Sequence, residues 1–212
     1  MISAIATLII GLFFHTQVIS QNVPALHPKE RVLSAHSISL TNRQPNKWVN
    51  DVFKDNILLN VVYLSGTVKP TENVDWENIN KPFKYEMVLK PGEVFAFHDN
   101  VLPGYKVKNL KTTNSHWNTK EGFRSDGHLI GDGVCHLASI IYWAAKDANL
   151  ASEAPVNHDF AAIADIPREY GVAILYRDQR QNLYIKNDKD KPIAFVFSYQ
   201  NLRLEVAVKE LL

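Results

Sequence analysis

The chain has 212 residues, of which 46% are hydrophobic and 21% charged, as in a globular protein with room for one core. Lysine and arginine (23) nearly balance aspartate and glutamate (22), which leaves a formal net charge of +1. A charge so balanced creates no strong electrostatic field, so nucleic acid is excluded as the expected primary partner. The single cysteine, Cys135, cannot form an intramolecular disulfide.

The N-terminus begins with an almost uninterrupted apolar run over residues 2–14. This run is shorter than the ~20 residues of a membrane-spanning helix, but it suits the core of a signal peptide. We therefore expect residues 1–20 to be a signal peptide or, if they are not cleaved, a membrane anchor. Either route predicts an extracytoplasmic protein, secreted or membrane-anchored. Residues 21–48 carry Pro24, Pro28 and Pro45 among polar residues and are interpreted as a linker or lead-in.

A folded domain is predicted from residue 49 to residue 212. Apolar residues recur at spacings of three and four over residues 49–64, which predicts a helix that ends at Ser65-Gly66. Alternating apolar residues predict strands at residues 83–89 and 93–98. Residues 99–133 are polar and without periodicity, which is typical of a long functional loop.

The clearest helix in the sequence is predicted at residues 134–150, where a broad apolar stripe indicates a largely buried helix. Runs rich in aromatic and β-branched residues follow it and predict antiparallel strands at residues 172–176, 183–186, 193–198 and 202–208. This order of elements predicts a single α+β domain. Its antiparallel sheet is expected to pack around the buried helix that starts at the Gly-Asp-Gly-Val-Cys segment.

The start of this helix is the segment most suited to chemistry. Gly131 and Gly133 permit a tight turn and a close backbone approach, and Asp132 or Gly133 can cap the helix. Cys135 then lies in the first turn, where free N–H groups and the helix dipole favour a thiolate and lower its pKa. This pattern predicts that Cys135 is a nucleophile that attacks a carbonyl carbon. Backbone N–H groups at the helix start would then stabilise the oxyanion that forms on the substrate. The alternative is that Cys135 is a small buried apolar residue.

A nucleophilic thiol needs a base, and five of the eight histidines lie between residues 98 and 158. His158 is the predicted base, because the chain can fold back after Pro155, and Asp165 is a possible orienting carboxylate. His136 directly follows the cysteine and therefore points about 100° away around the helix. The secondary candidates are His98, Asp126, His128 and His136.

Cysteine, histidine and aspartate are also zinc ligands, but the sequence has no tight ligand pair such as HxxxH or CxxC. We therefore expect no metal site and no cofactor. A metal-dependent hydrolase that uses His128, Cys135 and a carboxylate is kept as an alternative hypothesis.

Three blocks of this sequence resemble the VanW-like family. Residues 92–97 (GEVFAF) look like the family's "GEvFSFN" stretch, and residues 131–145 (GDGVCHLASIIYWAA) resemble its "GGGvCQvSSTLYNAA" motif. Residues 183–193 are similar to its "frNntdyPI" segment. The resemblance covers roughly residues 49–208. This chain departs from the family motif at Asp132, where the family has glycine, and at His136, where the family has glutamine.

The resemblance implies an extracytoplasmic cell-envelope protein of the kind encoded beside glycopeptide-resistance genes. The leading hypothesis is a cysteine hydrolase or acyltransferase that acts on cell-wall peptide. The alternative is a non-catalytic module that binds cell-wall peptide or glycan, with Tyr105, Trp117 and Phe123 as stacking surfaces. The expected partners are therefore a cell-wall peptide or glycan and, if the N-terminal segment is not cleaved, the membrane.

Overall fold

The structure, a computed structural model, describes residues 29–212. The predicted signal peptide or anchor at residues 1–20 lies outside the described residues. The described part contains two antiparallel sheets, the helices α1 (Lys47–Ser65) and α3 (Val134–Asp147), and the short helix α2 (Trp76–Ile79). The α+β prediction is confirmed.

The larger sheet has four strands in the order β1-β7-β6-β2. Its strands are β1 (Glu30–Ser39), β2 (Phe83–Leu89), β6 (Ile193–Gln200) and β7 (Arg203–Leu211). A turn through Asn201 and Leu202, both with positive φ, joins β6 to β7, as in a two-residue hairpin that follows the twist of its strands. Phe195 and Phe197 are fully buried on the inner face, while their neighbours on β6 face outward.

The smaller sheet has three strands in the order β3-β5-β4, and each strand has three residues. The strands are β3 (Val94–Ala96), β4 (Ala151–Glu153) and β5 (Tyr184–Lys186). Tyr184 at the start of β5 is fully buried and stacks on Tyr105 at a centroid distance of 4.0 Å. Short 3-10 turns occupy Pro103–Tyr105, Thr119–Glu121 and Arg168–Tyr170.

Helix α1 begins at a side-chain cap, since Asn46 Oδ1 accepts hydrogen bonds from the N–H groups of Trp48 and Val49. Its middle is buried on every side: Ile57, Leu58 and Leu59 follow one another, and each is 0% exposed. A helix buried all round must satisfy any polar side chain within the protein. This requirement matters for the asparagines that α1 carries.

Helix α3 packs against α1, β1, β4 and β7. Its stripe of Ala138, Ile141 and Ala144 is fully buried, and the small side chains let neighbouring elements approach closely. The helix begins at Val134, as predicted, and ends three residues earlier than the predicted Leu150.

The structure differs from the sequence expectations in two segments. Residues 30–39, expected in the lead-in, form β1 and pair along β7. Only Ile38 of β1 is fully buried, so the strand lacks the apolar alternation that marks a strand. Residues 172–176, expected to be a strand, are irregular. Among residues 29–212, no helix has the length and apolar character needed to cross a bilayer.

Candidate functional site

The glycines before α3 are required by close packing. Gly133 has φ +95°, and a Cβ at this position would lie 2.7 Å from the carbonyl oxygen of Phe53 on α1. Gly131 has φ +87°, and its Cβ would lie 2.7 Å from Cβ of Trp117. Both contacts are too short for any side chain, and both φ values are costly for other residues. The glycine pattern therefore allows the turn to fit against α1 and Trp117.

Asp132 is held by the loop and does not cap α3. Gly133 is the N-cap residue, without a side-chain hydrogen bond. The Asp132 carboxylate accepts a hydrogen bond from the N–H of Asp126 at 3.2 Å, and burial raises the pKa of this carboxyl group. The Asp132 side chain thus shapes the turn that presents the helix start.

Cys135 lies in the first turn of α3 and is partly buried. Its Sγ accepts a hydrogen bond from the N–H of Ile174 at 3.4 Å and approaches the Ile174 carbonyl oxygen at 4.0 Å. Burial raises the pKa of the thiol to about 11, and the nearby Asp132 acts in the same direction. The expected lowering of this pKa was wrong, because the cost of desolvating a thiolate exceeds the stabilisation from the helix start.

Cys135 and Ser139 on α3 together hold the segment of residues 172–174 against the helix. Ser139, one turn later on α3, accepts a hydrogen bond from the N–H of Val172 at 2.9 Å. Two side chains four residues apart on α3 therefore satisfy two backbone donors that lie two residues apart in an extended segment. The N–H of Ala173 donates instead to the carbonyl oxygen of Val156, so this segment is held by separate contacts and not by one partner strand.

The structure does not bring His158 to the thiol. His158 is buried, and its Nδ1 lies 3.1 Å from the carbonyl oxygen of Ala161. Its ring packs on Phe160 at 3.9 Å and edge-on against His136 at 6.3 Å between centroids. Within residues 29–212, no imidazole nitrogen lies at hydrogen-bond distance from Cys135 Sγ. The predicted dyad is not assembled in this geometry.

Asp165 serves a different part of the fold. Its carboxylate accepts hydrogen bonds from the backbone N–H of Ser39 and from the guanidinium of Arg43, both at 2.8 Å. These donors and the Arg43 charge hold the pKa of Asp165 below its usual value against the opposing effect of burial. Asp165 therefore anchors the connection between β1 and α1 and does not hydrogen-bond to His158.

His136 points away from the thiol, as predicted from its position on the helix. It packs against Phe53 of α1 at a centroid distance of 5.1 Å and is 6% exposed. Its Nδ1 is buried without a hydrogen-bond partner. Burial lowers the pKa of His136 to about 3, and the positive charge of Arg43 adds to this effect. His136 is thus a neutral ring in the core at neutral pH.

His98 is also a structural residue. Its Nε2 lies 3.1 Å from the carbonyl oxygen of Gln181, and its Nδ1 lies 3.2 Å from the amide nitrogen of Asn182. Since the amide nitrogen can only donate, Nδ1 accepts and Nε2 carries the proton. Burial lowers the pKa of His98, which favours this neutral tautomer.

Asp126 and His128 lie together in an exposed turn. The Asp126 carboxylate accepts hydrogen bonds from the backbone N–H groups of His128 and Leu129, and these bonds lower its pKa. The described part of the chain contains no group of three or more histidine, cysteine, aspartate or glutamate side chains placed to hold a metal ion. The ligand set that a metal-dependent hydrolase needs from His128 and Cys135 is not assembled here.

The aromatic residues of the long loop are packed inside the protein. Trp117 is 7% exposed and Phe123 is 3% exposed. Tyr105 stacks on Tyr184 and donates a hydrogen bond to Glu153 at 2.7 Å. Trp117 and Phe123 are therefore too buried to stack on a glycan, and Tyr105, which is partly exposed, already uses one ring face for Tyr184.

Buried asparagines hold the site region together, and the sequence interpretation missed them. Asn56 on α1 donates to the carbonyl oxygens of Arg124 and Asp132, each at 3.0 Å, and accepts from the N–H of Arg124 at 2.9 Å. Asn60, one turn later, accepts from the Ser115 hydroxyl at 3.2 Å. The available signal was the presence of asparagines on the buried side of an apolar helix.

Two open cavities lie along β2. One of about 310 Å³ is bordered by residues 85–88, residues 110–112, Leu64 and Asn114. Another of about 170 Å³ is bordered by residues 83–85 and by the last turns of α1, including Val61 and Val62. The first has mainly polar walls and the second mainly apolar walls, and both border Tyr85; we refer to the two cavities together as the β2 groove.

Comparison with known proteins gives one match. The family model described as "VanW like protein" matches residues 77–209, which include β2, α3, β6 and most of β7. Searches among curated proteins and among solved structures found no match.

Proposed function

This chain belongs to the VanW-like family, and from that premise we propose that it is an exported protein that binds cell-wall peptide without catalysing a reaction. Family membership associates the chain with the cell envelope and with vancomycin resistance. The apolar segment at residues 2–14 supports export, as a cleaved signal peptide or as a membrane anchor. A groove with polar and apolar halves along β2 supports the binding of a peptide.

One observation carries the choice of binding over catalysis. The Cys135 thiol accepts a backbone hydrogen bond from Ile174, and burial raises its pKa to about 11. At neutral pH such a thiol is almost entirely protonated, and the thiolate is the reactive form. The same thiol also has a structural role, because it accepts a hydrogen bond from the partly buried N–H of Ile174 and so joins α3 to the 172–174 segment.

The experiment is co-sedimentation of the purified protein with insoluble cell-wall peptidoglycan. The natural chain is compared with Cys135→Ala and Cys135→Ser, and the release of soluble wall fragments is measured in the same tubes. We expect all three proteins to sediment with the wall and to release nothing above a blank.

The hydrolase or acyltransferase hypothesis makes the opposite expectation. Wall fragments or exchanged peptides would then appear with the natural chain and would disappear with both cysteine variants. That result would overturn the proposal, and so would a natural chain that stays in the supernatant.

A further inference from the structure

The outer edge of β2 presents unpaired backbone groups. Along an antiparallel ladder, residue pairs that exchange backbone hydrogen bonds alternate with pairs that do not, so every second residue of a strand directs its N–H and C=O groups towards the same neighbouring strand. The N–H of Leu211 donates to the carbonyl oxygen of Pro192, so even-numbered residues of β6 direct their backbone groups towards β7. Odd-numbered residues of β6 therefore face β2, and they pair with the odd-numbered residues of β2.

It follows that Lys84, Glu86 and Val88 direct their N–H and C=O groups away from the sheet. The carbonyl oxygen of Val88 agrees with this assignment, since it accepts a hydrogen bond from Lys111 Nζ at 2.5 Å. In the described part of the chain, β2 is the last strand of its sheet and pairs with β6 alone. Lys84 and Glu86 thus offer backbone donors and acceptors for an additional strand, which would end where Lys111 covers Val88.

The side chains of β2 define what an added strand must carry. Lys84 and Glu86 are exposed on the outer face of the sheet, and Tyr85 between them faces α1. A residue opposite Tyr85 would point the same way, into the cavity of about 170 Å³ that Val61 and Val62 border. An added strand should therefore carry an acidic residue opposite Lys84 and a basic residue opposite Glu86. The residue between them, opposite Tyr85, should be apolar.

We propose that β2 binds an extended peptide as a fifth, antiparallel strand, with the sequence pattern basic–apolar–acidic read from its N-terminus. The acidic residue pairs with Lys84, the basic residue pairs with Glu86, and the apolar side chain enters the cavity beside Val61. This binding mode, in which main-chain bonds give affinity and side-chain pockets give specificity, is known as β-strand addition. The inference rests on the proposed function, because it places peptide binding at a specific edge.

A second copy of the chain is the competing occupant of this edge, since Lys84, Tyr85 and Glu86 themselves follow the pattern basic–aromatic–acidic. The exposed backbone of β2 lies between the last turn of α1, at Ser65, and the segment that carries Lys111 and Asn114. A second β2 would bring the same two flanking elements with it, and both copies would have to accommodate them along the shared edge. A single extended peptide has no such flanks, so the groove suits a peptide of three or four residues.

The test measures the binding of two fluorescent, capped peptides that contain Lys-Leu-Glu or Glu-Leu-Lys. The full natural chain is compared with the double variant Lys84→Glu/Glu86→Lys. We expect the natural chain to bind the Lys-Leu-Glu peptide about tenfold more tightly, and the double variant to reverse this preference. A matched control is Arg203→Glu/Glu205→Arg, which exchanges two exposed charges on β7, separated from β2 by β6, and should keep the natural preference.

Amide hydrogen exchange identifies the edge directly. The N–H groups of Lys84 and Glu86 should become protected when the Lys-Leu-Glu peptide binds. Equal affinity for both peptides, an unchanged preference in the double variant, or binding without this protection would overturn the inference. Self-association of the natural chain that the single variant Lys84→Glu weakens, without peptide binding, would also overturn it.

The co-sedimentation experiment separates this inference from the proposed function. A chain that binds the wall but not the Lys-Leu-Glu peptide overturns the β2 assignment alone. A chain that binds the peptide at β2 but not the wall overturns the proposed function alone.

Discussion

The thiol of Cys135 is subject to two opposing effects on its pKa. The helix start favours the thiolate, while burial and the Asp132 carboxylate disfavour it. Burial is the largest of these effects, and it raises the pKa to about 11 from the reference value of 9.0. A favourable position in a sequence motif is thus insufficient to activate a cysteine, because activation also depends on how much water reaches the sulfur.

This balance predicts the alkylation behaviour of Cys135. The rate of reaction with iodoacetamide in the folded protein should be very low at pH 7 to 8 and should rise only as the pH approaches about 11. The measurement is the rate of mass increase between pH 7 and pH 10, with the urea-unfolded chain as the reference. Fast labelling of the folded chain at pH 7 would contradict the structural role and favour the nucleophile hypothesis.

His136 predicts a loss of stability in acid. Its pKa is about 3 in the folded protein against 6.5 as the reference value, so the unfolded chain binds more protons between these limits. Stability should therefore fall as the pH drops below 6.5, by at most about 1.4 kcal/mol for each pH unit. Urea unfolding at pH 7 and pH 5 measures this loss, and His136→Phe should reduce it. The same loss in both proteins would assign the acid sensitivity to other groups.

At the scale of elements, the packing of α3 against α1 depends on the turn that precedes α3. Gly133 approaches the backbone of Phe53 so closely that no side chain fits, and Asn56 bonds the same turn to α1. Trp117 packs equally closely on Gly131, so residues from three separate parts of the chain fix the start of α3.

A pair of glycine substitutions tests this packing. Gly133 and Gly127 have nearly the same φ, +95° and +98°, but only Gly133 has neighbouring atoms within 4 Å. Gly127→Ala should cost about 1 kcal/mol of unfolding free energy, from the backbone conformation alone. Gly133→Ala should cost about 1 to 3 kcal/mol more, because atoms of α1 must move. Equal losses in chemical denaturation would show that contact with Phe53 is unimportant.

At the scale of the whole molecule, β1 forms the edge of the larger sheet opposite to β2. It pairs with β7 from Glu30 to Ser39, and Asp165 fixes its end through the N–H of Ser39. The side chain of Ser34 on β1 also donates a hydrogen bond to the carbonyl oxygen of Ala144 on α3 at 2.7 Å. The folded domain therefore includes a strand from the segment that composition assigned to the lead-in.

Shortening the chain from its N-terminus tests whether β1 is needed for the domain to fold. A chain that begins at Lys29 should unfold at nearly the same temperature as the chain that begins at Gln21, since β1 is intact in both. A chain that begins at Val49 loses β1 and the Asn46 cap of α1, exposes the edge of β7, and should be largely unfolded at 37 °C. Circular dichroism during heating distinguishes these cases. A cooperative transition in the shortest chain would show that β1 is dispensable.

The sequence by itself determined the elements whose signals are local. The apolar spacing of α1, the alternation of β2 and the stripe of α3 all reflect one side of an element facing the core, so each could be predicted within a few residues. Family membership was also present in the sequence, because the blocks around Gly131 and Gly92 are contiguous.

Only the tertiary structure decided which residues meet. Burial of Cys135 against Ile174, the pairing of Asp165 with Arg43 and the assignment of β1 all join segments that are distant along the chain. A pKa depends on water and on charges around a group in three dimensions, and pairing depends on which edge of a sheet remains open. A motif contains neither quantity. His98, His136, His158 and Asp165 pack or hydrogen-bond within the fold, which their positions in the sequence did not indicate, and the open edge of β2 became visible only in the folded chain.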